Sequence, residues 1–402
     1  MTINEDKIGI IGLGKLGLPM LSAFIKRGFN PLGYDIDNDL IAKLKKKSNP
    51  YQEPGINEII ESDNSWSRRF YNDLNAFLAE VNIVFLIVPT PTKDVIFDIS
   101  YLDNALQNIS NYLQQSKDKF LNVVITSTVN PGDCDRFMIK YKDTNFSIVY
   151  SPEFIALGSV LNDMLHPDIV LLGGSSIRSV DEIFSIYNRL YESHPEYHRL
   201  NFFEAETAKI GINTYVTTKI SFANTIGMFI EKNLKSRESS QKVLNAIGGD
   251  SRIGRKYFKY GVSYGGPCFP RDNRALARHL ENSKIPSVIP KSTDDLNNFI
   301  IEFWKQKIIE ENYDALVIIG IAYKSGTDFL EESFMIRLIE SVKIPSFYAD
   351  EFISKLKIST KLNSQNNYEL LKNFSNVLIL KNYGDFSFNE SLKNLQINNI
   401  WY

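Results

Sequence analysis

Short apolar runs recur along the first half of the chain. Between them lie stretches in which apolar residues return at helical spacing. Residues 7–11 (KIGII) precede Gly12, Gly14 and Gly17, and an apolar-periodic stretch follows to about residue 27. This order predicts a strand, a tight turn and a helix. Residues 31–34 predict a second strand, ending at Asp35. Further strands are predicted at 83–88, 123–126, 147–150 and 169–172, the last closed by Gly173 and Gly174. Strands alternating with helices predict an α/β fold with a parallel, doubly wound, Rossmann-like sheet.

The pattern changes near residue 202. Residues 202–232 predict one long helix, interrupted only by Gly211 and Gly227. Helical patterns continue to about residue 311, broken by the Gly/Pro-rich stretch 261–270. Strand-like runs return at 315–321, 347–349 and 377–380, which predicts a second, smaller Rossmann-like α/β unit. The expected division is therefore 1–200, a central helical region at 201–311, and 312–402. No repeat of 20–50 residues is present.

Composition narrows the classes. The 402 residues are 43% hydrophobic and 23% charged, ordinary for a globular chain that builds its own cores. Lys+Arg (45) nearly balances Asp+Glu (47), so no basic excess points to nucleic acid. The densest basic run, residues 43–47, reads as a solvated helix face. Two cysteines, Cys134 and Cys268, make no disulfide framework. His194 and His198 stand four apart, but Pro195 between them argues against a helical metal site, and none is expected. No apolar leader is evident before the first strand, and the longest apolar run, 81–88, is too short to span a bilayer. A cytoplasmic enzyme is the expectation.

Three groups of residues carry candidate chemistry. Gly12 suits the tight turn, Gly14 lets the backbone approach a pyrophosphate, and Gly17 permits close helix–strand packing. Alone such a fingerprint is weak. Here it follows a strand, opens a helix and is joined by Asp35, which suits both ribose hydroxyls and repels a 2′-phosphate. That predicts NAD rather than NADP, against the alternative of a glycine-rich turn in an unrelated α/β protein. The second group is Gly265-Gly266-Pro267-Cys268-Phe269-Pro270-Arg271-Asp272. A lone cysteine is more often a small buried hydrophobe than a nucleophile. This one precedes a helix-like run beside Arg271, which favours a more acidic thiol. Asp272, four residues on, suits a general base or a water anchor. An NAD domain plus such a thiol suggests oxidation through a thiohemiacetal and a thioester. In the third group, Glu206, Lys209 and Asn213 share one face of the long helix. Their cation and amide suit a developing oxyanion.

In series, these motifs resemble the UDP-glucose/GDP-mannose dehydrogenase family of NAD-dependent nucleotide-sugar 6-dehydrogenases. The matching segments are GLGKLGLP from Gly12, VPTP from Val88, STVNPG from Ser127, SPEF from Ser151, EAETAKIGINTY from Glu204, SRIG from Ser251, GGPCFPRD from Gly265 and AYKSGTD from Ala322. The resemblance implies two successive oxidations at C6, from alcohol through aldehyde to acid, with UDP-glucose the default substrate by family prevalence. It implies Cys268 as the nucleophile, Asp272 with Thr128 positioning a water or taking a proton, Lys209 and Asn213 holding the C6 oxygen, and Glu153 assisting thioester hydrolysis. Gly12, Gly14, Gly17, Asp35, Thr90 and Thr128 would bind NAD. Glu153, Lys209, Asn213, Arg252, Gly265 and Lys324 would bind the nucleotide sugar, Arg252 reaching a neighbouring subunit's substrate. The long helix would make a homodimer.

Departures from the family pattern are also legible. Leu157 stands where UDP-glucose enzymes usually carry a second acid, and Glu331 where an arginine is usual. Arg271 replaces the usual lysine and keeps the charge. The chain stops at Tyr402, where many members continue, so a smaller last domain is expected. Other readings are a UDP-N-acetylhexosamine or GDP-mannose 6-dehydrogenase, a single-oxidation β-hydroxyacid dehydrogenase, which needs no cysteine, and a non-catalytic nucleotide-sugar-binding relative.

Overall fold

The computed structural model describes residues 7–51, 53–350, 353, 359–361, 371, 373–382 and 397–399. The first six residues and Tyr402 lie outside these. The chain divides into two compact units, 1–209 and 210–402.

The first unit is built on an eight-stranded sheet. Its spatial order is Glu196–Leu200, Ile169–Gly174, Phe146–Tyr150, Leu121–Ile125, Ile83–Leu86, Ile8–Ile11, Leu32–Tyr34 and Phe70–Tyr71. All neighbours pair parallel except Phe146–Tyr150 with Ile169–Gly174. The central strands are buried at every position, the signature of a sheet covered on both faces. That explains why they read as unbroken apolar runs rather than alternating ones. Helix Gly17–Lys26 lies against one face, with every residue from Gly17 to Phe24 buried. Its Pro19 sits in the first turn, where a missing N–H costs nothing. The opposite face is filled by Leu102, Leu106, Ile109 and Leu113 of helix Ser100–Gln115 with Phe137 of helix Asp133–Lys140.

The strand ends explain the placement of the loops. Parallel strands all open their carboxyl ends toward one edge, so the turns after Ile11, Leu86, Ile125 and Tyr150 gather there. Those turns contain the glycine fingerprint, VPTP, STVNPG and SPEF.

The 33-residue helix Phe202–Leu234 starts with a reciprocal cap. The Glu204 amide donates to Asn201 Oδ1 at 2.9 Å, and the Asn201 amide to Glu204 Oε2 at 2.8 Å. Beyond residue 209 the helix belongs to the second unit. Gly227 is required there, since a Cβ would meet the Tyr260 ring at 2.2 Å. The second unit continues with helices Arg237–Gly248, Phe269–Asn282 and Val288–Glu310. A parallel five-stranded sheet follows, ordered Thr360–Lys361, Ser346–Ala349, Ala315–Ile319, Val377–Lys381 and Ile397–Asn399. The small second sheet read from the sequence is thus present, with two more strands than the three apolar runs indicated.

Candidate functional site

In the first unit, the fingerprint forms a cradle of backbone. Gly12 has φ +91°, and a Cβ there would meet the Ile87 carbonyl at 2.0 Å. At Gly17 a Cβ would meet the Gly12 carbonyl at 1.7 Å. At Gly14 a Cβ would meet nothing within 4 Å. Two glycines therefore serve the chain's own packing, and the third faces open space at a helix N-terminus. That is the geometry a pyrophosphate needs, so these residues fit a dinucleotide. Asp35 directly follows the next strand, Leu32–Tyr34. Its Oδ2 accepts the Leu13 amide at 2.7 Å and its Oδ1 the Asp37 amide at 2.9 Å. The carboxylate is thereby fixed beside the fingerprint.

The next two turns are bonded to each other. Thr90 Oγ1 donates to the Thr128 carbonyl at 2.8 Å. Ser127 Oγ donates to the Val88 carbonyl at 2.7 Å and accepts the Val88 amide at 3.0 Å. VPTP and STVNPG thus form one rigid pair. Ser127 was not singled out from the sequence, where a serine in a loop carries no signal of its partner.

Glu153 and Lys209 meet through the main chain. Lys209 Nζ donates to the Glu153 carbonyl at 2.5 Å and stands 4.2 Å from the centroid of the Phe154 ring. Lys209 is buried rather than solvated. Burial pushes the Glu153 carboxyl up to about 7, against the lowering influence of Lys209. Glu53 holds the following segment, accepting the Gly158 amide at 3.1 Å and the Val160 amide at 2.6 Å. Leu157 packs against the apolar core around helix Gly17–Lys26.

In the second unit, Cys268 is the N-cap residue of helix Phe269–Asn282, and its side chain is exposed. Pro270 sits in the first turn, as its place in the sequence predicted. Asp272 is fully buried one turn along. Its carboxylate accepts Asn213 Nδ2 at 2.6 Å and Arg271 Nε at 3.1 Å. Arg271 thus engages the adjacent Asp272 through Nε. Asn273 ties the same helix to the long one, donating to Thr217 Oγ1 at 2.7 Å.

The glycines ahead of Cys268 have a structural reason. A Cβ on Gly265 would meet the Glu332 carbonyl at 2.3 Å. Gly266 has φ +79°, donates its amide to the Glu331 carbonyl at 3.0 Å, and would place a Cβ 2.7 Å from the Tyr323 ring. Glu331 therefore meets the cysteine loop through its main chain. Tyr323 is a neighbour the sequence did not reveal; burial and the nearby Cys268 thiol push its phenol up to about 12. Lys324 follows it, half-buried. Arg252 is highly exposed and bonded to Asp250, Nη2 to Oδ2 at 2.7 Å. Lys219 of the long helix donates to the Ile253 carbonyl at 3.1 Å and so holds that loop.

His194 precedes the strand Glu196–Leu200 and His198 lies within it, so they do not form a helical pair. Among the described residues no group of three or more His, Cys, Asp or Glu side chains is arranged to hold a metal. No described helix is long and apolar enough to cross a membrane.

Comparison with known proteins gives the following. Residues 6–191 match the UDP-glucose/GDP-mannose dehydrogenase family's NAD binding domain, and residues 203–299 its central domain. A UDP-glucose 6-dehydrogenase of Rickettsia typhi is 30% identical over 355 residues, covering 86% of this chain and 80% of its own. The UDP-glucose 6-dehydrogenase AglM of Haloferax volcanii is 28% identical over 351 residues, covering 84% and 80%. The structure of a UDP-glucose dehydrogenase from Pyrobaculum islandicum superposes with TM-score 0.83 at 24% identity, covering 100% of this chain and 95% of that one. A UDP-D-ManNAc dehydrogenase structure from Pyrococcus horikoshii gives 0.77 at 20% identity, covering 98% and 99%. At those identities the structural likeness speaks for the fold.

Proposed function

Because this chain belongs to the UDP-glucose/GDP-mannose dehydrogenase family, whose members are NAD-dependent nucleotide-sugar dehydrogenases, we propose that it oxidises the C6 hydroxyl of a nucleotide sugar to the uronic acid through a covalent Cys268 intermediate. The observation that supports the covalent route is the exposed Cys268 at a helix N-terminus with buried Asp272, bonded to Asn213, one turn behind it.

Gly12, Gly14, Gly17 and Asp35 would hold NAD, with Thr90 and Thr128 beside it. When bound, NAD supplies the hydride acceptor for both oxidations. Asp272, through a water positioned with Thr128, takes the hydroxyl proton as the alcohol becomes an aldehyde. The Cys268 thiolate then forms a C–S bond to the aldehyde carbon, giving a thiohemiacetal. Lys209 and Asn213 hold the C6 oxygen as its charge develops. Oxidation of that adduct leaves a thioester. Water, deprotonated by Glu153, attacks it; the C–S bond breaks and the thiolate returns. Gly265, Lys324 and Arg252 would contact the nucleotide sugar, Arg252 from a neighbouring subunit.

UDP-glucose is the substrate favoured by the relatives, since the Rickettsia typhi and Haloferax volcanii proteins are both named UDP-glucose 6-dehydrogenases. Leu157, apolar and packed on the core, leaves UDP-N-acetylhexosamines and GDP-mannose as alternatives. Purified protein with NAD and each of UDP-glucose, UDP-N-acetylglucosamine, UDP-N-acetylmannosamine and GDP-mannose decides among them. The reading expects NADH and a uronic acid from one of these; no NADH from any would sink it. Cys268→Ala is expected to make no acid, and acid at the normal rate would remove the covalent step.

A homodimer is proposed through the central region, residues 201–311. Tyr215, Phe222 and Phe229 are 66%, 51% and 64% exposed. They stand seven residues apart, so they form one apolar seam along the helix. Exposed aromatic rows of this kind mark association surfaces. A cytoplasmic location is proposed on the same footing, from the substrate class.

A further inference from the structure

Of the three polar residues that share the first turns of the long helix, Lys209 and Asn213 have roles in the proposed chemistry and Glu206 has none. Glu206 is fully buried. Its Oε2 accepts the Gly132 amide at 2.5 Å and its Oε1 the Cys134 amide at 2.8 Å. These amides open helix Asp133–Lys140 at the end of STVNPG. Gly132 has φ +93°, so the backbone turns there in a conformation that only glycine adopts freely. The Cys134 thiol also hydrogen-bonds this carboxylate; burial first, and then the Glu206 charge and that bond, push the thiol well above its usual range.

A buried carboxylate is costly unless its lone pairs are met by donors. Here the donors all come from one turn of one loop. That loop is also bonded to VPTP through Thr90 and Ser127. Three residues further along the helix, Lys209 grips the SPEF loop by the Glu153 carbonyl. One helical turn therefore clamps the two loops that follow strands Leu121–Ile125 and Phe146–Tyr150.

We propose that Glu206 is a positioning residue of the dehydrogenase reaction: its carboxylate fixes the Thr128 loop to the helical turn that carries Lys209, and so sets the reacting geometry. It acts through Thr128 and touches neither substrate nor cofactor. The inference rests on the roles assigned above to Lys209 and Thr128.

The test uses the full chain carrying Glu206→Gln and, separately, Glu206→Asp. Gln keeps the shape but turns one acceptor into an amide donor that faces a backbone N–H. Asp is too short to reach both amides. Displacing reacting groups by about 1 Å costs on the order of 100-fold in rate, so kcat is expected to fall roughly 10- to 100-fold in Gln and less in Asp. KM for NAD should change little, because Gly14 and Asp35 hold the other end of the cofactor. With the C6-deuterated form of whichever panel sugar the wild type oxidises, the isotope effect on kcat should rise, as hydride transfer becomes the slow step. A purely structural loss would lower the active fraction and leave that isotope effect unmoved. Wild-type kcat and isotope effect in a folded Glu206→Gln overturn the proposal. Should only Glu206→Asp fold, the same pair of readouts in it decides; should neither fold, Glu206 is a folding residue and the proposal is overturned. Failure of the functional reading is recognised separately, by wild-type protein that oxidises no sugar. In that case the emission of NADH bound to Glu206→Gln and to wild type is compared, and identical spectra overturn the proposal.

Discussion

Lys209 donates from Nζ to the main-chain carbonyl of Glu153 at 2.5 Å, while burial pushes the carboxyl of the same glutamate up to about 7. The ammonium is thus anchored by a neutral acceptor. The carboxyl is poised to change charge near neutrality, where a general base is most effective.

Acid formation should depend on pH accordingly. With its pKa raised to about 7, Glu153 is protonated below that value and cannot deprotonate the hydrolytic water. Turnover to the uronic acid should therefore rise through about pH 7, and thioester should accumulate on Cys268 below it. Intact-protein mass spectrometry after an acid quench detects the adduct. Glu153→Gln should lose this limb of the profile and slow hydrolysis by roughly 100-fold, the ordinary worth of a general base. An unchanged profile in that variant would remove Glu153 from the hydrolytic step.

Cofactor choice is expected to follow Asp35. Its two oxygens are already held by the Leu13 and Asp37 amides, so the carboxylate cannot swing away from a 2′-phosphate. Wild type should use NAD and discriminate strongly against NADP. Asp35→Gly removes the repulsion, and like-charge contacts cost several kcal/mol, so the NADP/NAD ratio of kcat/KM should rise by about 100-fold or more. KM for NAD should rise as well, through loss of the ribose contact. Wild type that uses both cofactors equally would end this role for Asp35.

The parts legible in the sequence are those whose physics is local. The strand before Gly12, the helix after Gly17 and the place of Pro270 in the first turn beyond Cys268 follow from periodicity and turn chemistry within a few residues. The long helix was legible because 202–232 has no breakers beyond Gly211 and Gly227, and its observed end at Leu234 lies within a turn of that. Long-range partners were not legible. Arg271 was read as a neighbour of the thiol, and its bond to Asp272, set by side-chain direction on the helix, was not foreseen. At Gly265 and Gly266 the groups a Cβ would meet belong to Glu332 and Tyr323, more than fifty residues on. Glu206 looked like one member of a polar stripe, and only the fold reveals that Gly132 and Cys134 meet it.

The aromatic seam predicts oligomeric state. Phe222 lies between Tyr215 and Phe229, and all three are exposed. A charge at its centre has to be desolvated without a partner if two copies associate, which costs several kcal/mol. Phe222→Glu should therefore elute as a monomer where wild type elutes as a dimer, read by light scattering on a sizing column. Phe222 also stacks on Phe258, ring centroids 6.0 Å apart, so a loss of about 0.5–1.5 kcal/mol in monomer stability is expected alongside. A variant that remains dimeric would move the interface off this helix.

Gly14 and Gly17 belong to one fingerprint, yet they should fail in different ways. A Cβ at Gly14 meets nothing within 4 Å, and its φ is not in the left-handed region. Gly14→Ala should therefore leave unfolding free energy within about 0.5 kcal/mol of wild type, or raise it slightly by stiffening the unfolded chain. The added methyl occupies the space a pyrophosphate needs to reach the backbone N–H groups. Losing one charge-assisted hydrogen bond costs about 1.5–3 kcal/mol, so the NAD dissociation constant should rise roughly 10- to 100-fold. At Gly17 the methyl would stand 1.7 Å from the Gly12 carbonyl, with rigid backbone on both sides. Gly17→Ala should destabilise the first unit by about 1–3 kcal/mol or more, the cost of overpacking, before any cofactor is added. Urea unfolding without NAD, followed by NAD titration of the folded variants, separates the two. If Gly14→Ala unfolds as readily as Gly17→Ala, the open space at Gly14 is filled by the protein itself and the assignment of that cradle to a pyrophosphate fails.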